Sequence, residues 1–455
     1  MNSTKVVIVA HNDCEVVKVQ IEFMIKISGF SSTDFIIVDN YSDDGLSQWL
    51  SIQKDMDYII CDERVEDYAK IINTVIGEFI QDEDVLILRP GMLLLPECLR
   101  ELKNALLSLK NGGIVCPYVL RHGVVVITND IQVAIEEAEK DSQGREFEEH
   151  IGANNDVFLV RNEVLKQLKK FDETVKFPRN ILADLCLSLI ELGYHCYGVN
   201  KAYAYRFANN SDIYEQILEE NIDRQRMKEK WGMNYFNENP NLYLLSRIKD
   251  EKERLLYILE IGCDCGANLL WLKNRYPNAE LFGVELNPKS AKIANHFVNT
   301  QVGNVEEKKL DFGNIKFDYI IFGDVLEHLK NPAGAISYCK GLLAPEGKVI
   351  ASIPNLMHYS VLQRLLNGYF SYSDIGLLDR THIHFFTYYE IIRMFENEGF
   401  NIIDFQYTHM GQCTEQEEEF IDKLLNIGNN TEKFMFVAFQ YVVTAQQTKR
   451  EPYKD

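Results

Sequence analysis

Between Ile258 and Leu329 four short stretches carry side chains whose types and spacing suit a single ligand. The run Ile258-Leu259-Glu260-Ile261-Gly262-Cys263-Asp264-Cys265-Gly266-Ala267-Asn268 is an apolar strand that enters a glycine-bearing turn and then a helix. Glycines at such a turn let backbone approach a bound molecule closely. About twenty residues later Leu281-Phe282-Gly283-Val284 ends in Glu285, where a carboxylate can accept both hydroxyls of a ribose. Gly303-Asn304-Val305 sets an amide beside an apolar residue, a pair able to read the edge of an adenine and cover its face. Tyr319-Ile320-Ile321-Phe322 then leads into Gly323-Asp324-Val325-Leu326-Glu327-His328-Leu329. A glycine turn alone also serves NAD enzymes and purely structural turns. Four elements in this order are a stronger signal.

Holding these groups at one edge requires a sheet, and the sequence has the rhythm of an α/β fold. Strands are expected at Leu256–Glu260, Glu280–Glu285, Phe317–Phe322, Gly347–Ile353 and Phe434–Val443, with helices begun by Asn287-Pro288 and Asn331-Pro332. An earlier series occupies Val6–Ala10, Phe35–Asp39, Tyr58–Cys61, Asp84–Leu88 and Gly113–Cys116. The restart marks a second domain, and 455 residues at 46% apolar composition can fill two cores. A helix is expected over Asp212–Lys230 and a break at Asn237-Glu238-Asn239-Pro240. The expected division is a first domain over 1–235, a linker over 236–250, a second domain over 251–445 and a frayed tail over 446–455.

A formal charge of -21 argues against binding nucleic acid or anionic lipid, which needs clustered Lys and Arg. No stretch is long and apolar enough to span a bilayer, and residues 1–5 lack the layout of a signal peptide, so a cytoplasmic protein is expected. Ten cysteines without paired spacing read as reduced thiols. Cys263 and Cys265 form a lone C-x-C inside the glycine turn, and no metal is expected there. The acidic run Glu415–Glu419 reads most simply as a solvated helix face.

The order EIGCDCG, GVELN, VGNVE and FGDVLEHLKNP resembles the class I methyltransferases that use S-adenosylmethionine (SAM), in particular the branch of MetW and UbiG-like enzymes of ubiquinone biosynthesis. The resemblance covers the C-terminal half and implies a Rossmann-like domain. It implies that Glu260, Gly262, Cys263 and Gly266 surround the methionine part of SAM. By the same resemblance Glu285 and Leu286 meet its ribose, Asn304 and Val305 its adenine, and Asp324, Val325 and Leu326 close the pocket. One departure stands out: Asp264-Cys265 replaces the second small residue of the loop, narrowing it, adding negative charge and weakening the expected binding. The segment from Gly376 to Thr387 resembles the acceptor-side D-x-x-H motif, followed by an aromatic pair and Thr387, which with Glu390 spells a capping box. His382 is the expected general base or acceptor orienter, Asp379 its tautomer-holding partner and His328 a second candidate. A metal on His382 and His384 lacks further ligands, and none is expected.

In the first half, Val6–Ala10 followed by His11-Asn12-Asp13, and Phe35–Asp39 followed by Asn40-Tyr41-Ser42-Asp43-Asp44-Gly45, are buried strands ending in polar residues. That carboxyl edge is where open α/β sheets bind ligands. The pattern resembles family 2 glycosyltransferases of the GT-A fold over about the first 235 residues. On that resemblance Ala10, His11, Asn12, Asp39, Asn40, Ser42, Lys70 and Arg89 surround a nucleotide sugar of the UDP, GDP or dTDP type. The family's acidic metal pair is replaced by Arg89-Pro90-Gly91, and its acceptor base aligns with Leu182, ahead of Ala183 and Asp184. Arg89 could supply charge in place of a metal.

The combined expectation is a SAM-dependent methyltransferase fused to a glycosyltransferase-like domain. It would tailor a sugar or a glycoprotein glycan, with glycan-assembly enzymes as partners and each activity at high effective concentration for the other. The alternative keeps the methyltransferase and makes the first domain a non-catalytic module that binds a glycan or a partner.

Overall fold

The computed structural model describes residues 2–120, 135–136, 139–140, 144–154, 156–176, 178–208, 225–233 and 236–448. They form two compact units, residues 1–238 and 239–455. Of the expected helix Asp212–Lys230, residues 212–224 lie outside the described residues, while 225–231 are helical.

The N-terminal unit is built on strands β1 (Thr4–Ala10), β2 (Phe35–Asp39), β3 (Asp57–Ile60), β4 (Asp84–Leu88), β5 (Met92–Leu94), β6 (Gly112–Leu120), β7 (Phe147–His150), β8 (Val157–Val160) and β9 (His195–Arg206). Their order is β3-β2-β1-β4-β8-β6-β9-β5, with β7 also paired to β9. The first four are mutually parallel, and β8 runs antiparallel between β4 and β6. Every residue of β2 and β4 is buried, as expected for strands covered on both faces. The helix Cys14–Ile27 packs Val17, Ile21 and Met24 into this core.

The C-terminal unit has strands β10 (Tyr257–Ile261), β11 (Glu280–Glu285), β12 (Asn299–Val302), β13 (Phe317–Gly323), β14 (Leu343–Pro354), β15 (Phe400–Tyr407) and β16 (Gln440–Gln447). They lie in the order β12-β11-β10-β13-β14-β16-β15. The strands from β12 to β14 in that order are parallel, and β16 is antiparallel to both neighbours. Strand order reverses between β10 and β13, the crevice where open α/β sheets bind ligands. Phe282, Phe312 and Phe317 meet edge to face beneath it, with centroids 5.1 to 5.9 Å apart.

Three expectations are corrected. Phe434–Val443 is not one strand: the helix Lys433–Val437 buries Met435 and Phe436, and β16 starts only at Gln440. A short apolar run has no period that separates helix from strand. Strand β16 also continues through Gln447, so Gln446 and Gln447 are paired rather than frayed. Finally, the stretch read as a linker is folded from Asn241 on. The helix Leu242–Leu245 buries Leu244 and Leu245, Tyr276 donates to the Ile248 carbonyl at 2.9 Å, and Arg247 pairs with Asp404 at 2.9 Å. Polar flanks masked the apolar turn at its centre. Among the described residues no helix is long and apolar enough to cross a membrane.

Candidate cofactor and acceptor site

Strand β10 carries Glu260 as its penultimate residue and runs into a loop whose backbone needs glycine. Gly262 and Gly266 have φ of 72° and 89°, and a Cβ on Gly262 would stand 2.5 Å from the Val325 Cγ2. Val325 therefore lies against the loop. Asp264 occupies the left-handed region at φ 46°, a conformation that short polar residues tolerate better than others do. Cys263 and Cys265 are buried, and burial pushes both thiols up.

Glu260 is 1% exposed. Its Oε1 accepts a 2.6 Å hydrogen bond from Asn268, which in turn accepts the Asn241 backbone N–H at 2.7 Å. Its Oε2 has no hydrogen-bond partner among the described residues. Burial, opposed by the Asn268 bond and aided by Asp264 and Glu285, pushes this carboxyl up to about 8. Glu285 ends β11, and its two oxygens accept the backbone N–H groups of Asp264 (2.9 Å) and Asn287 (2.8 Å). The carboxylate expected to meet a ribose thus also ties the glycine loop to the next helix. Leu286 beside it is exposed.

Asn304 caps the turn Val305–Glu307 by accepting from Glu306 at 2.9 Å, and Val305 is buried. Asp324 follows β13 at φ 55° and is held by Ser352 (3.0 Å) and Gln440 (2.7 Å); Leu326 is buried. The eleven residues expected around the cofactor thus sit on the carboxyl ends of β10, β11, β12 and β13 and the turns that follow. Asn268, Asn241, Ser352 and Gln440 were missed, because each acts through a fold contact that no local motif spells out.

On the acceptor side the expected Asp379–His382 pair does not form. Nδ1 of His382 faces the Leu377 carbonyl at 3.2 Å, which accepts from an N–H and so fixes the tautomer. Asp379 instead accepts from the Thr381 amide (2.7 Å) and hydroxyl (2.6 Å). Burial pushes that carboxyl up, but the two Thr381 bonds outweigh it and hold it below its usual range. His382 is buried, and burial together with neighbouring His328 lowers its imidazole. The His328 and His382 rings meet edge to face at 4.8 Å. His384 turns away to the Lys330 carbonyl at 3.2 Å. Thr387 is the N-cap of the helix Tyr388–Asn397, but its side chain makes no capping bond. Buried Glu327, given no role in the sequence reading, brings its Oε1 to 3.9 Å from Nε2 of His382, and its backbone carbonyl accepts from Ile383 and His384. Phe385 links His382 (6.3 Å) to Phe370 and Tyr372, both exposed, with Tyr369 exposed nearby in sequence.

In the N-terminal unit one cluster gathers Ala10, His11, Asn12, Asp39, Asn40 and Ser42 at the ends of β1 and β2. Asn40 donates its N–H to the Ala10 carbonyl (2.8 Å), His11 meets the Asn40 carbonyl (2.9 Å), and the Asn12 N–H reaches the Ser42 hydroxyl (2.9 Å). Asp39 is fully buried and accepts from the Ser42 N–H and the Ser47 hydroxyl, while Asn40 makes two bonds to the Val65 backbone. Lys70 lies exposed in the first turn of the helix Tyr68–Phe79. Arg89 leaves β4 to pair with Asp156 (3.8 Å), which Arg206 also holds. A Cβ on Gly91 would stand 2.6 Å from the Ala208 carbonyl. Arg89 also borders a small cavity lined by Tyr68, Ile72, Phe158, Phe171 and Leu182.

Comparison with known proteins finds one family match: a model described as a methyltransferase domain covers residues 224–404. No curated protein matches the chain. Among solved structures, a SAM-dependent methyltransferase from Archaeoglobus fulgidus is 16% identical and covers 51% of this chain and 100% of its own, with a TM-score of 0.33. The 1,6-didemethyltoxoflavin-N1-methyltransferase of Burkholderia thailandensis is 14% identical over 53% of this chain and 92% of its own, at 0.32. The plantazolicin methyltransferase BpumL, solved with SAH, is 14% identical over 52% and 92%, at 0.33. Likeness at that level adds no weight to the family match. With that match laid over the glycine loop and the four strand ends, the C-terminal half of the chain is a SAM-dependent methyltransferase domain of Rossmann-like fold.

Proposed function

We propose that the C-terminal unit methylates a hydroxyl or amine of a carbohydrate, free or borne on a glycoprotein, and that the N-terminal unit is a GT-A-like module. The observation that carries the cofactor assignment is the orphaned Oε2 of buried Glu260 beside a loop that excludes side chains. A buried carboxylate with an unused oxygen is stabilised by a cationic partner, and the amino group of SAM is one. When bound, SAM supplies a methyl on a sulfonium for in-line displacement. Glu285 retains lone pairs for ribose hydroxyls, Asn304 and Val305 suit the adenine, and Asp324, Val325 and Leu326 wall the pocket, with Leu286 exposed beside the ribose. His382, its Nδ1–H spent on Leu377, presents an Nε2 lone pair that takes a proton from the acceptor or orients it. His328 is the second such group, and Asp379 shapes the loop through Thr381. The exposed rings of Tyr369, Phe370 and Tyr372 can stack on sugar faces.

For the N-terminal unit, the parallel order β3-β2-β1-β4 with polar residues at its carboxyl edge supports a nucleotide-sugar fold of the UDP, GDP or dTDP type. A working glycosyltransferase is the first reading. A non-catalytic glycan- or partner-binding module is favoured by Arg89, which turns to Asp156 where an acidic pair would hold a cation for the leaving diphosphate. Cytoplasmic location belongs to the same proposal and rests on the cysteine pattern. Incubation of the full chain with labelled nucleotide sugars and manganese, and separately with methyl-labelled SAM and a glycan panel, tests both halves. The expected result is sugar-nucleotide or glycan binding without donor breakdown, and methyl label on a glycan. Donor hydrolysis would restore the working transferase, and label confined to non-carbohydrate acceptors would overturn the glycan assignment.

A further inference from the structure

Asn355, the first residue after β14, is fully buried and spends its polar atoms on backbone. Its side-chain amide donates to the carbonyls of Met435 (2.9 Å) and Ala438 (2.7 Å), and its Oδ1 accepts the Met357 N–H (2.9 Å). Its own N–H goes to the Phe439 carbonyl (3.1 Å), and its carbonyl accepts from His358 (3.3 Å). Beside it, the Leu356 N–H donates to the Phe386 carbonyl at 2.9 Å, and Asn355 and Phe386 pair as a parallel β-bridge. One residue thus fastens three segments: the turn after β14, the helix Lys433–Val437 with its link to β16 and, through Leu356, the end of the acceptor-side segment that carries His382.

Each fastened segment sends a neighbouring apolar side chain to one place. Leu356, Phe439 and Phe385 pack against buried Val361, Leu377 and Leu378. The Leu377 carbonyl is the one that takes Nδ1–H of His382, and the Phe385 ring meets the His382 ring at 6.3 Å. We propose that Asn355 is a positioning residue for methyl transfer, holding the acceptor-side segment so that His382 presents Nε2 in one place. The proposal rests on the methyl-transfer reading and on the part that reading gives His382. Among the described residues, none of those assigned to the cofactor shares a hydrogen bond with Asn355, so its effect falls on the acceptor side. An amide is the group that fits. Aspartate would set a carboxylate against two carbonyl oxygens, and alanine would leave two carbonyls and an N–H buried without partners. A shift of about 1 Å at a reacting group is enough to slow a reaction by about 100-fold.

The test compares the full-length wild type with Asn355→Ala in three readouts: SAM affinity by calorimetry, backbone hydrogen exchange over residues 377–387, and kcat at saturating SAM with any acceptor that takes methyl label. The exchange readout needs no acceptor. In the variant, SAM affinity is expected to stay within about threefold of the wild type, exchange over 377–387 to quicken at least about tenfold while the glycine loop stays protected, and kcat to fall at least about tenfold. Phe439→Ala opens the same apolar cluster without stranding a polar group and is expected to move the same readouts in the same direction, so the test holds even if Asn355→Ala fails to fold. Unchanged exchange over 377–387, exchange raised equally throughout the C-terminal unit, or an unchanged kcat overturns the role. Absence of SAM binding by the wild type overturns the methyl-transfer reading and the role with it, whereas SAM binding by a wild type whose variants keep a protected segment overturns the role alone.

Discussion

Glu260 accepts one hydrogen bond in a fully buried position, and that imbalance has a measurable consequence. Its carboxyl is pushed from 4.5 up to about 8, so the folded chain keeps a proton there that the unfolded chain has released. Between those values unfolding sheds a proton, and on this group's account stability falls as pH rises through the window. Glu260→Gln keeps an oxygen for Asn268 but cannot ionise. Thermal melts of the cofactor-free protein from pH 5 to 8 should therefore slope less in the variant, while its affinity for SAM falls. An unchanged slope would show that Glu260 does not titrate in that window. At this scale the sequence was legible where one residue type has one use: Glu260, Glu285 and the two glycines all stand where their spacing put them. It was illegible where two neighbours compete for a partner. Asp379 lies three residues from His382, yet the nearer Thr381 captures it.

The glycine loop is an element whose strain is concentrated at one non-glycine residue. Asp264 holds φ of 46°, costing roughly 1 kcal/mol relative to glycine, and burial pushes its carboxyl up to about 6, with Ser290 opposing. Asp264→Gly relieves the strain, removes a charge facing Glu285 and retains the N–H that Glu285 accepts. The variant should be more stable in denaturant melts by about 1 kcal/mol and bind SAM at least as tightly. Weaker binding would give the Asp264 side chain a direct part in holding the cofactor. Short apolar strands such as β2, β4 and β11, each ending in a polar residue or turn signal, were read from sequence to the residue. The turn at Lys433–Val437 was not, because its apolar residues are buried by tertiary packing that short-range pattern does not encode. The helix Leu242–Leu245 was hidden for a related reason: four residues do not establish a period.

At the scale of the molecule, two α/β units each carry their own core, and the ligand-type side chains of each gather at the carboxyl edge of a parallel sheet. The units differ in what that edge offers. In the second, a buried carboxyl oxygen of Glu260 has no partner among the described residues, beside a loop whose glycines leave no space for side chains. In the first, Asp39, Asn40 and Arg89 spend their polar atoms on neighbouring backbone and side chains. That contrast favours the C-terminal unit as the seat of the chemistry. The most direct test is calorimetric titration of SAM into the full chain and into Glu285→Gln. Micromolar binding is expected in the wild type and a loss of about 1–2 kcal/mol in the variant, from removing one charge-assisted acceptor. Absence of binding heat in the wild type across temperatures would contradict it.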